Sequence, residues 1–313
     1  MLRQTAVVAL LLGAAAVGPG TGAAEGPARA AAGPDPASRR EVGNLVIEGI
    51  PEIPAGLAER LLQYQNTRYA TLYGWLGEGL LIGTRFGESN QVHYVDRPGG
   101  ARQQLTFFAE PVQSAAPSPE ATRRRLLFTR DVGGSEFYQV YRFDLETGRT
   151  HLLTDGKARH GAVIWSRSGD RFAYYSTARN GRDWDVCVAD ADDPAGARRV
   201  LEAGGVWYPI SWSPDDRRLL LIKYVSIAES HCYVLDPALG DLTEVNPASG
   251  PVAYEDAEWS GDGRGLFLAS DEGTEFRTLR YWDLAAGTME DLSGDIPWDV
   301  EDIEVSPRGD AVA

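Results

Sequence analysis

Short apolar stretches separated by polar turns recur along most of the chain. Residues 208–222, YPISWSPDDRRLLLI, contain an apolar stretch, a polar turn and a second apolar stretch. Related phrases begin at His160, Tyr254 and Val300, and a weaker copy begins at Ser114. Apolar runs of this length that reverse at Asp, Gly and Pro predict antiparallel β-hairpins.

The hairpins repeat with a nearly constant period. A serine that follows the first strand of each copy lies 46 to 48 residues from the next one, at Ser118, Ser166, Ser213, Ser260 and Ser306. Each repeat has room for four short strands, as residues 257–295 illustrate. A period in the forties with four strands per unit is typical of β-propeller blades.

A second phrase supports the same period. Residues 134–156 and 273–295 align without a gap and share Gly, Glu, Phe and a turn that begins Asp-Leu. One aspartate therefore recurs at the same position in five repeats: Asp96, Asp144, Asp190, Asp236 and Asp283. We expect this aspartate to begin a hairpin turn and to accept hydrogen bonds from backbone N–H groups.

These repeats predict an all-β fold, a β-propeller of four-stranded blades with five complete blades and the start of a sixth. The strand pattern excludes an α-solenoid, and a stacked β-helix would have shorter repeats. Helical periodicity is confined to residues 54–65, which predict a short N-terminal helix after a proline. Trp165, Trp212 and Trp259 repeat with the blades, so we expect them in the core between blades.

Composition restricts the partners. The 313-residue chain is 43% hydrophobic and 24% charged, with a net charge of -15. A nucleic-acid-binding protein normally presents a basic face, and none is visible, so we expect no nucleic-acid partner. The run of three arginines at residues 123–125 is interpreted as a solvated turn.

The N-terminus has the pattern of an export signal. Arg3 precedes an apolar run at residues 6–17, and small residues follow up to Ala24. We predict a signal peptide at residues 1–24, a disordered leader at 25–44, a helix and connecting segment at 45–68, and the propeller at 69–313, truncated in its sixth blade. The mature protein would begin near Glu25, be periplasmic or extracellular, and have no stable membrane span. A retained membrane anchor is the alternative.

The chain offers few residues for metal or redox chemistry. Cys187 and Cys232 are interpreted as buried thiols, and a bridge between them is the alternative that export would permit. The acidic stretch at residues 189–194 lacks the Gly and distal Glu of an EF-hand loop, although another kind of calcium site there is an alternative. None of the four histidines has zinc-ligand spacing, and we expect no metal and no cofactor.

Three longer phrases resemble a known family. Residues 134–156 and 296–307, together with LAERLLQYQNTRYATLYGW at 57–75, resemble the propeller of exported S9-type serine peptidases, the prolyl oligopeptidase family. The resemblance extends from about residue 45 to the end of the sequence. It implies a propeller that precedes a C-terminal α/β-hydrolase domain, caps its active site and limits which peptides enter.

The chain itself lacks the motif of that catalytic domain. A hydrolase nucleophile requires G-x-S-x-G, and the nearest stretch, GGSEF around Ser135, has Phe137 in place of the last glycine. The resemblance therefore implies a substrate-gating propeller that is inactive alone, with peptide hydrolysis carried by a hydrolase domain outside this sequence. The alternative is a stand-alone, TolB-like periplasmic propeller that binds another protein. It is disfavoured because a TolB-type α/β domain would not fit before the first blade near Tyr69.

Candidate substrate-binding residues lie in the connections between strands. Glu136 occupies a position where glutamates of some members of the family hold the amino end of a peptide. An acidic residue recurs there in other repeats, however, which favours a structural role. Trp184, Tyr208 and Trp298 do not repeat cleanly and are candidates for a lining surface. No catalytic residue is assigned.

The partial sixth blade implies open sheet faces. We expect Trp259, Leu266, Phe267 and Leu268 to lie near an uncovered face of blade five, and the first blade to be uncovered on its opposite side. The isolated chain is therefore expected to self-associate through these faces.

Overall fold

The computed structural model describes residues 39–43, 45–120, 122–247, 250–306 and 308–313. The chain forms two compact units, which divide after Thr67. In the first unit, strands β1 (Arg39–Val42) and β2 (Leu45–Glu48) pair as an antiparallel hairpin, and helix α1 (Ala55–Gln65) begins after Pro54. Strand β1 falls in the predicted leader, where the sequence pattern marked no structure. The predicted signal peptide lies outside the described residues.

The second unit contains five four-stranded antiparallel sheets, numbered here as blades one to five. Their strands are, in blade one, β3 (Thr71–Leu76), β4 (Gly79–Thr84), β5 (Gln91–Val95) and β6 (Arg102–Gln104); in blade two, β7 (Ser114–Pro117), β8 (Arg125–Arg130), β9 (Gln139–Asp144) and β10 (Arg149–Leu152); in blade three, β11 (His160–Trp165), β12 (Arg171–Ser176), β13 (Asp185–Asp190) and β14 (Arg198–Leu201); in blade four, β15 (Val206–Trp212), β16 (Leu219–Ser226), β17 (Glu229–Leu235) and β18 (Leu242–Val245); and in blade five, β19 (Tyr254–Trp259), β20 (Gly265–Ser270), β21 (Thr278–Asp283) and β22 (Thr288–Asp291). A one-turn 3₁₀ helix, Pro194–Gly196, precedes β14. The predicted all-β propeller fold is confirmed.

The antiparallel order gives every blade two distinct ends. The connections between first and second strands and between third and fourth strands lie at one end, the turn end. The connections between second and third strands, and those leading to the next blade, lie at the other end, the loop end. At the turn end, the recurring aspartate accepts two backbone N–H bonds in four blades, through Asp144, Asp190, Asp236 and Asp283. Asp96 of blade one forms an ion pair with Arg97.

The core lies between neighbouring blades. Trp212 and Trp259 are 1% and 0% exposed and belong to buried clusters that join blades three and four, and blades four and five. Trp165 packs partly buried between blades two and three, so the predicted role of all three tryptophans is confirmed. Cys187 and Cys232 are free, buried thiols, as predicted.

An arginine of the preceding blade covers each of these indoles. The guanidinium carbon lies 5.2 Å from the ring centroid for Arg125 and Trp165, 4.8 Å for Arg171 and Trp212, and 4.6 Å for Arg218 and Trp259. Each arginine also donates a hydrogen bond to a turn carbonyl of the next blade, that of Gly169, Asp216 or Gly263. These contacts tie successive blades together at the turn end.

The contact between an arginine and the tryptophan of the next blade is not repeated after blade five. The N–H of the turn serine donates to the carbonyl of Arg171 in blade three and of Arg218 in blade four. In blade five it donates to the carbonyl of Gly265, so a glycine occupies the position of the arginine. In the partial sixth blade, the position of the tryptophan is occupied by Val305. The arginine and its tryptophan are therefore absent together from the junction between blade five and the described part of blade six.

We predicted that four residues lie near an uncovered face of blade five, and this prediction is wrong for three of them. Trp259, Leu266 and Leu268 are fully buried between blades four and five, because paired positions of β19 and β20 place them on the side facing blade four. Phe267 alternates to the other side and is half-buried. Residues 300–306 pack against blade five there, with Ile303 buried and its N–H bonded to the Asp256 carboxylate at 2.9 Å.

Candidate functional site

Buried polar side chains hold the loop end in shape. The first residue of the third strand is polar and buried in blades one, two, three and five: Gln91, Gln139, Asp185 and Thr278. Gln139 donates to the carbonyls of Phe137 and Ala158 and accepts from Thr154 and Gly156. The loops at this end are thereby fixed to the sheet. Sequence reasoning missed these residues, although a polar residue at the start of an apolar strand in each repeat was the available signal.

Backbone hydrogen bonds join neighbouring blades at the same end. The His160 N–H donates to the Tyr138 carbonyl at 2.9 Å, and the Val112 N–H donates to Asn90 at 2.8 Å. The Val300 N–H donates to the Arg277 carbonyl at 2.9 Å, so the partial sixth blade begins in the same register. The loop end is therefore a continuous, hydrogen-bonded surface across the blades.

Exposed apolar side chains are concentrated at the loop end. Large apolar residues in or next to its connections are 43% to 91% exposed, and we call nine of them the loop-end apolar set: Phe86, Phe107, Val132, Phe137, Tyr224, Val225, Ile227, Ile296 and Trp298. At the turn end, the corresponding described residues are Leu239, in a connection, and Trp75, near the end of β3. Exposed apolar side chains gathered at one end of a domain mark a candidate interaction site.

Blade four contributes the most exposed member of this set. Its second and third strands, β16 and β17, extend further than those of other blades and are joined by only two residues, Ile227 and Ala228. Ile227 is 91% exposed at the tip. In the other blades, six to eight residues connect the same two strands. The extended hairpin presents an apolar side chain to solvent with no covering residue from its own blade.

Glu136 lies in the blade-two loop at this end. Its backbone has φ 60°, a left-handed conformation unusual for a residue other than glycine, and its N–H donates to Asp131 Oδ2 at 2.7 Å. The carboxylate is 68% exposed and lies 3.4 Å from Arg159. The buried Asp131 therefore holds the loop so that the Glu136 side chain faces solvent, and its substrate-binding role stays a prediction.

Trp184 and Tyr208 lie together. Trp184 stacks on Tyr175 with ring centroids 3.7 Å apart, and its ring centroid is 6.4 Å from that of Tyr208. Tyr208 is only 9% exposed and belongs to the buried cluster around blade four, because it points inward from the start of β15. It offers little surface to a ligand, whereas Trp184 is half-buried. Trp298 lies in the connection after β22 and is 72% exposed.

A charged pair crosses between non-adjacent blades at the turn end. Arg167 of blade three donates to Glu258 Oε1 of blade five at 2.6 Å, and the Arg167 backbone N–H is bonded to Asp216 of blade four. The Glu258 side chain is only 18% exposed. Burial raises the pKa of Glu258 to about 7, although the Arg167 charge opposes the shift.

Metal and membrane features are scarce in the part of the chain that the structure describes. Within it, no group of three or more His, Cys, Asp or Glu side chains is arranged to hold a metal ion. Nor does any described helix have the length and apolar character needed to cross a bilayer.

Comparison with solved structures identifies other propellers. A prolyl endopeptidase is similar with a TM-score of 0.61 and 12% identity, over 88% of this chain and 48% of that one. TolB from Acinetobacter baumannii has a TM-score of 0.54 and 18% identity, over 71% of this chain and 53% of its own. A puromycin hydrolase has a TM-score of 0.58 and 17% identity, over 72% of this chain and 39% of its own.

These similarities establish the propeller fold. A second TolB, from Agrobacterium tumefaciens, has a TM-score of 0.54 and 15% identity, over 72% of this chain and 80% of its own. The chain spans about half the length of the prolyl endopeptidase and of the Acinetobacter baumannii TolB. No protein-family model and no curated protein sequence matches the chain.

Proposed function

We propose that this chain is the propeller of an exported S9-type serine peptidase, and that its loop end covers the hydrolase domain and limits which peptides reach the active site. The loop-end apolar set carries the proposal. This set places nine exposed apolar side chains at the loop end, whereas the described turn end has two, Leu239 and Trp75. Such an asymmetry fits a protein domain seated permanently on one end.

The magnitude of the asymmetry fits a stable contact. Full burial of a large apolar side chain contributes about 1.5–3 kcal/mol, and a standard interface buries roughly 800 Å² on each partner. Burial of even part of nine such side chains would contribute several kcal/mol to association, from which the cost of ordering is subtracted. The hydrogen bonds of Gln91 and Gln139 to loop carbonyls hold the loop end in a fixed conformation before a second domain binds.

The comparisons support this choice of partner. The match to a prolyl endopeptidase covers more of this chain than either TolB match does, and that neighbour is itself a peptidase. In this proposal Glu136 and Trp298, both exposed at the loop end, contact the peptide, and Trp184 supports the surface from below. The exposed Glu136 carboxylate suits a peptide amino group, which would share it with Arg159, 3.4 Å away.

The test begins with the reading frame beyond Ala313, which should encode a domain with G-x-S-x-G. That domain and the propeller, expressed separately, should form a one-to-one complex by size-exclusion chromatography with light scattering. Ile227→Asp should weaken the complex at least tenfold, because it places a charge within an apolar contact. Leu239→Asp, at the turn end, is the matched control and should have no effect. Equal effects of both substitutions, or a frame without the motif, would contradict the proposal.

A second candidate function is a TolB-like propeller that binds another protein. The observation that favours it is the match to TolB from Agrobacterium tumefaciens, which extends over 80% of that chain with a TM-score of 0.54. The loop-end apolar set would then dock an independent partner. An unrelated sequence after Ala313, together with association through Ile227, would favour this function.

A further inference from the structure

The blade-four hairpin that carries Ile227 extends past the strands on either side of it. Strand β15 pairs with β16 only as far as Tyr224, and β18 pairs with β17 only as far as Cys232. The hairpin register continues to the pair of Ser226 and Glu229, so beyond those limits β16 and β17 pair only with each other. A two-stranded hairpin is marginally stable in water. Side-chain contacts at its base therefore contribute to how firmly the tip is held.

One histidine joins this hairpin to the outer strand of the blade. His231 Nδ1 lies 2.8 Å from Glu244 Oε1 on β18, and His231 Nε2 lies 3.4 Å from Glu229 Oε1. Glu229 is the first residue of β17 and directly follows the connection formed by Ile227 and Ala228. The His231 side chain is 31% exposed, so solvent only partly screens these contacts.

The two contacts together require a protonated imidazole. An ionised carboxylate only accepts hydrogen bonds, so both ring nitrogens of His231 must donate. Imidazole carries two N–H groups only when it is protonated. In the neutral ring, one nitrogen presents a lone pair to a carboxylate oxygen, which repels it. Loss of the proton therefore breaks the contact with one of the two glutamates.

Two further polar side chains face the imidazole from the strands packed around it. Lys223 is its cross-strand partner on β16, with the ammonium nitrogen 5.4 Å from the Trp207 ring centroid. This positive charge repels the protonated ring, whereas the two glutamates attract it. Tyr233 follows on β17, and burial, together with the neighbouring Glu244 charge, raises the pKa of its phenol. The phenol therefore stays neutral over the pH range in which histidines titrate.

We propose that His231 is a pH-dependent link that holds the blade-four hairpin: its protonated ring joins Glu229 at the tip to Glu244 on the outer strand, and loss of the proton releases the tip. Histidine is the side chain that ordinarily changes charge between pH 5 and 8. The tip, with Ile227 91% exposed, is held at the lower end of this range and loosens as pH rises. The link belongs to the propeller itself and does not depend on the proposed peptidase function.

Amide hydrogen exchange of the purified protein, measured by NMR from pH 5 to 8, tests the link. Protection factors are corrected for intrinsic exchange and divided by those of β8 and β9, which removes the global change in stability expected from Glu258. The protection of residues 224–231 should then fall about two- to fivefold as pH rises, the size of effect typical of a partly exposed ion pair. Added salt should reduce this difference.

Three variants distinguish the link from a general effect of pH. His231→Gln should give low hairpin protection that no longer depends on pH. His231→Lys retains a positive charge and should also remove the pH dependence, but with higher protection than His231→Gln. His151→Gln, on the exposed outer strand β10, is the matched control and should behave as the wild type. A pH dependence that persists in His231→Gln, or wild-type protection that does not change with pH, would refute the link.

Discussion

Replacement of Arg171 by alanine should separate the contribution of the inter-blade contacts from that of the apolar core. Arg171 places its guanidinium 4.8 Å from the Trp212 centroid and donates to the Asp216 carbonyl at 2.6 Å. A cation–π contact contributes about 0.5–2 kcal/mol, and a charge-assisted hydrogen bond about 1.5–3 kcal/mol. Because the two overlap in one side chain, we expect Arg171→Ala to lower the free energy of unfolding by about 2–4 kcal/mol.

Urea denaturation followed by tryptophan fluorescence measures this loss directly. For a unit of this size, the same change should lower Tm by about 5–15 °C. Arg217→Ala is the matched control, because Arg217 is exposed in the blade-four turn, one residue before the arginine that covers Trp259. It should change stability by less than about 0.5 kcal/mol. If Arg171→Ala stays within that range, or if both variants lose equally, the contacts do not stabilise the propeller as argued.

Four other outcomes are expected. Burial raises the pKa of Glu258 to about 7 from about 4.5, so the folded state binds an extra proton and stability should fall as pH rises from 5 to 8. In pH-dependent melts, Glu258→Gln should reduce this pH dependence of stability by up to about 3 kcal/mol, and an unchanged slope would contradict the prediction. The purified chain should not cleave a chromogenic proline-containing peptide, because it lacks G-x-S-x-G; cleavage blocked by a serine-directed phosphonate would overturn this. N-terminal sequencing of exported protein should begin near Glu25, and material that retains Met1 would exclude signal cleavage. Self-association through the open side of blade one, where Leu72 and Trp75 are 53% and 67% exposed, should decrease in Trp75→Lys by light scattering; a wild-type monomer would contradict it.

The sequence alone was sufficient for the fold because propeller blades are specified locally. The alternation of apolar and polar residues defines each strand, and Asp, Gly and Pro define each reversal, so the period could be read without any long-range contact. The role of Asp144 and its equivalents followed from the same local chemistry, since an aspartate bonds to N–H groups only two or three residues away. The burial of Trp212 and Trp259 followed from their recurrence.

The tertiary structure decided which face of each strand is covered and which residues meet. A period of two shows that neighbours in a strand alternate, but not which blade lies on each side, and this is why Leu266 and Leu268 were assigned to the wrong face. The same ambiguity left the burial of Tyr208 unseen. The loop-end apolar set spans residues 86–298, and only the antiparallel order of the strands brings its members to one end. The ion pair between Arg125 and Asp192 likewise joins residues that lie 67 positions apart in sequence and meet only through blade packing.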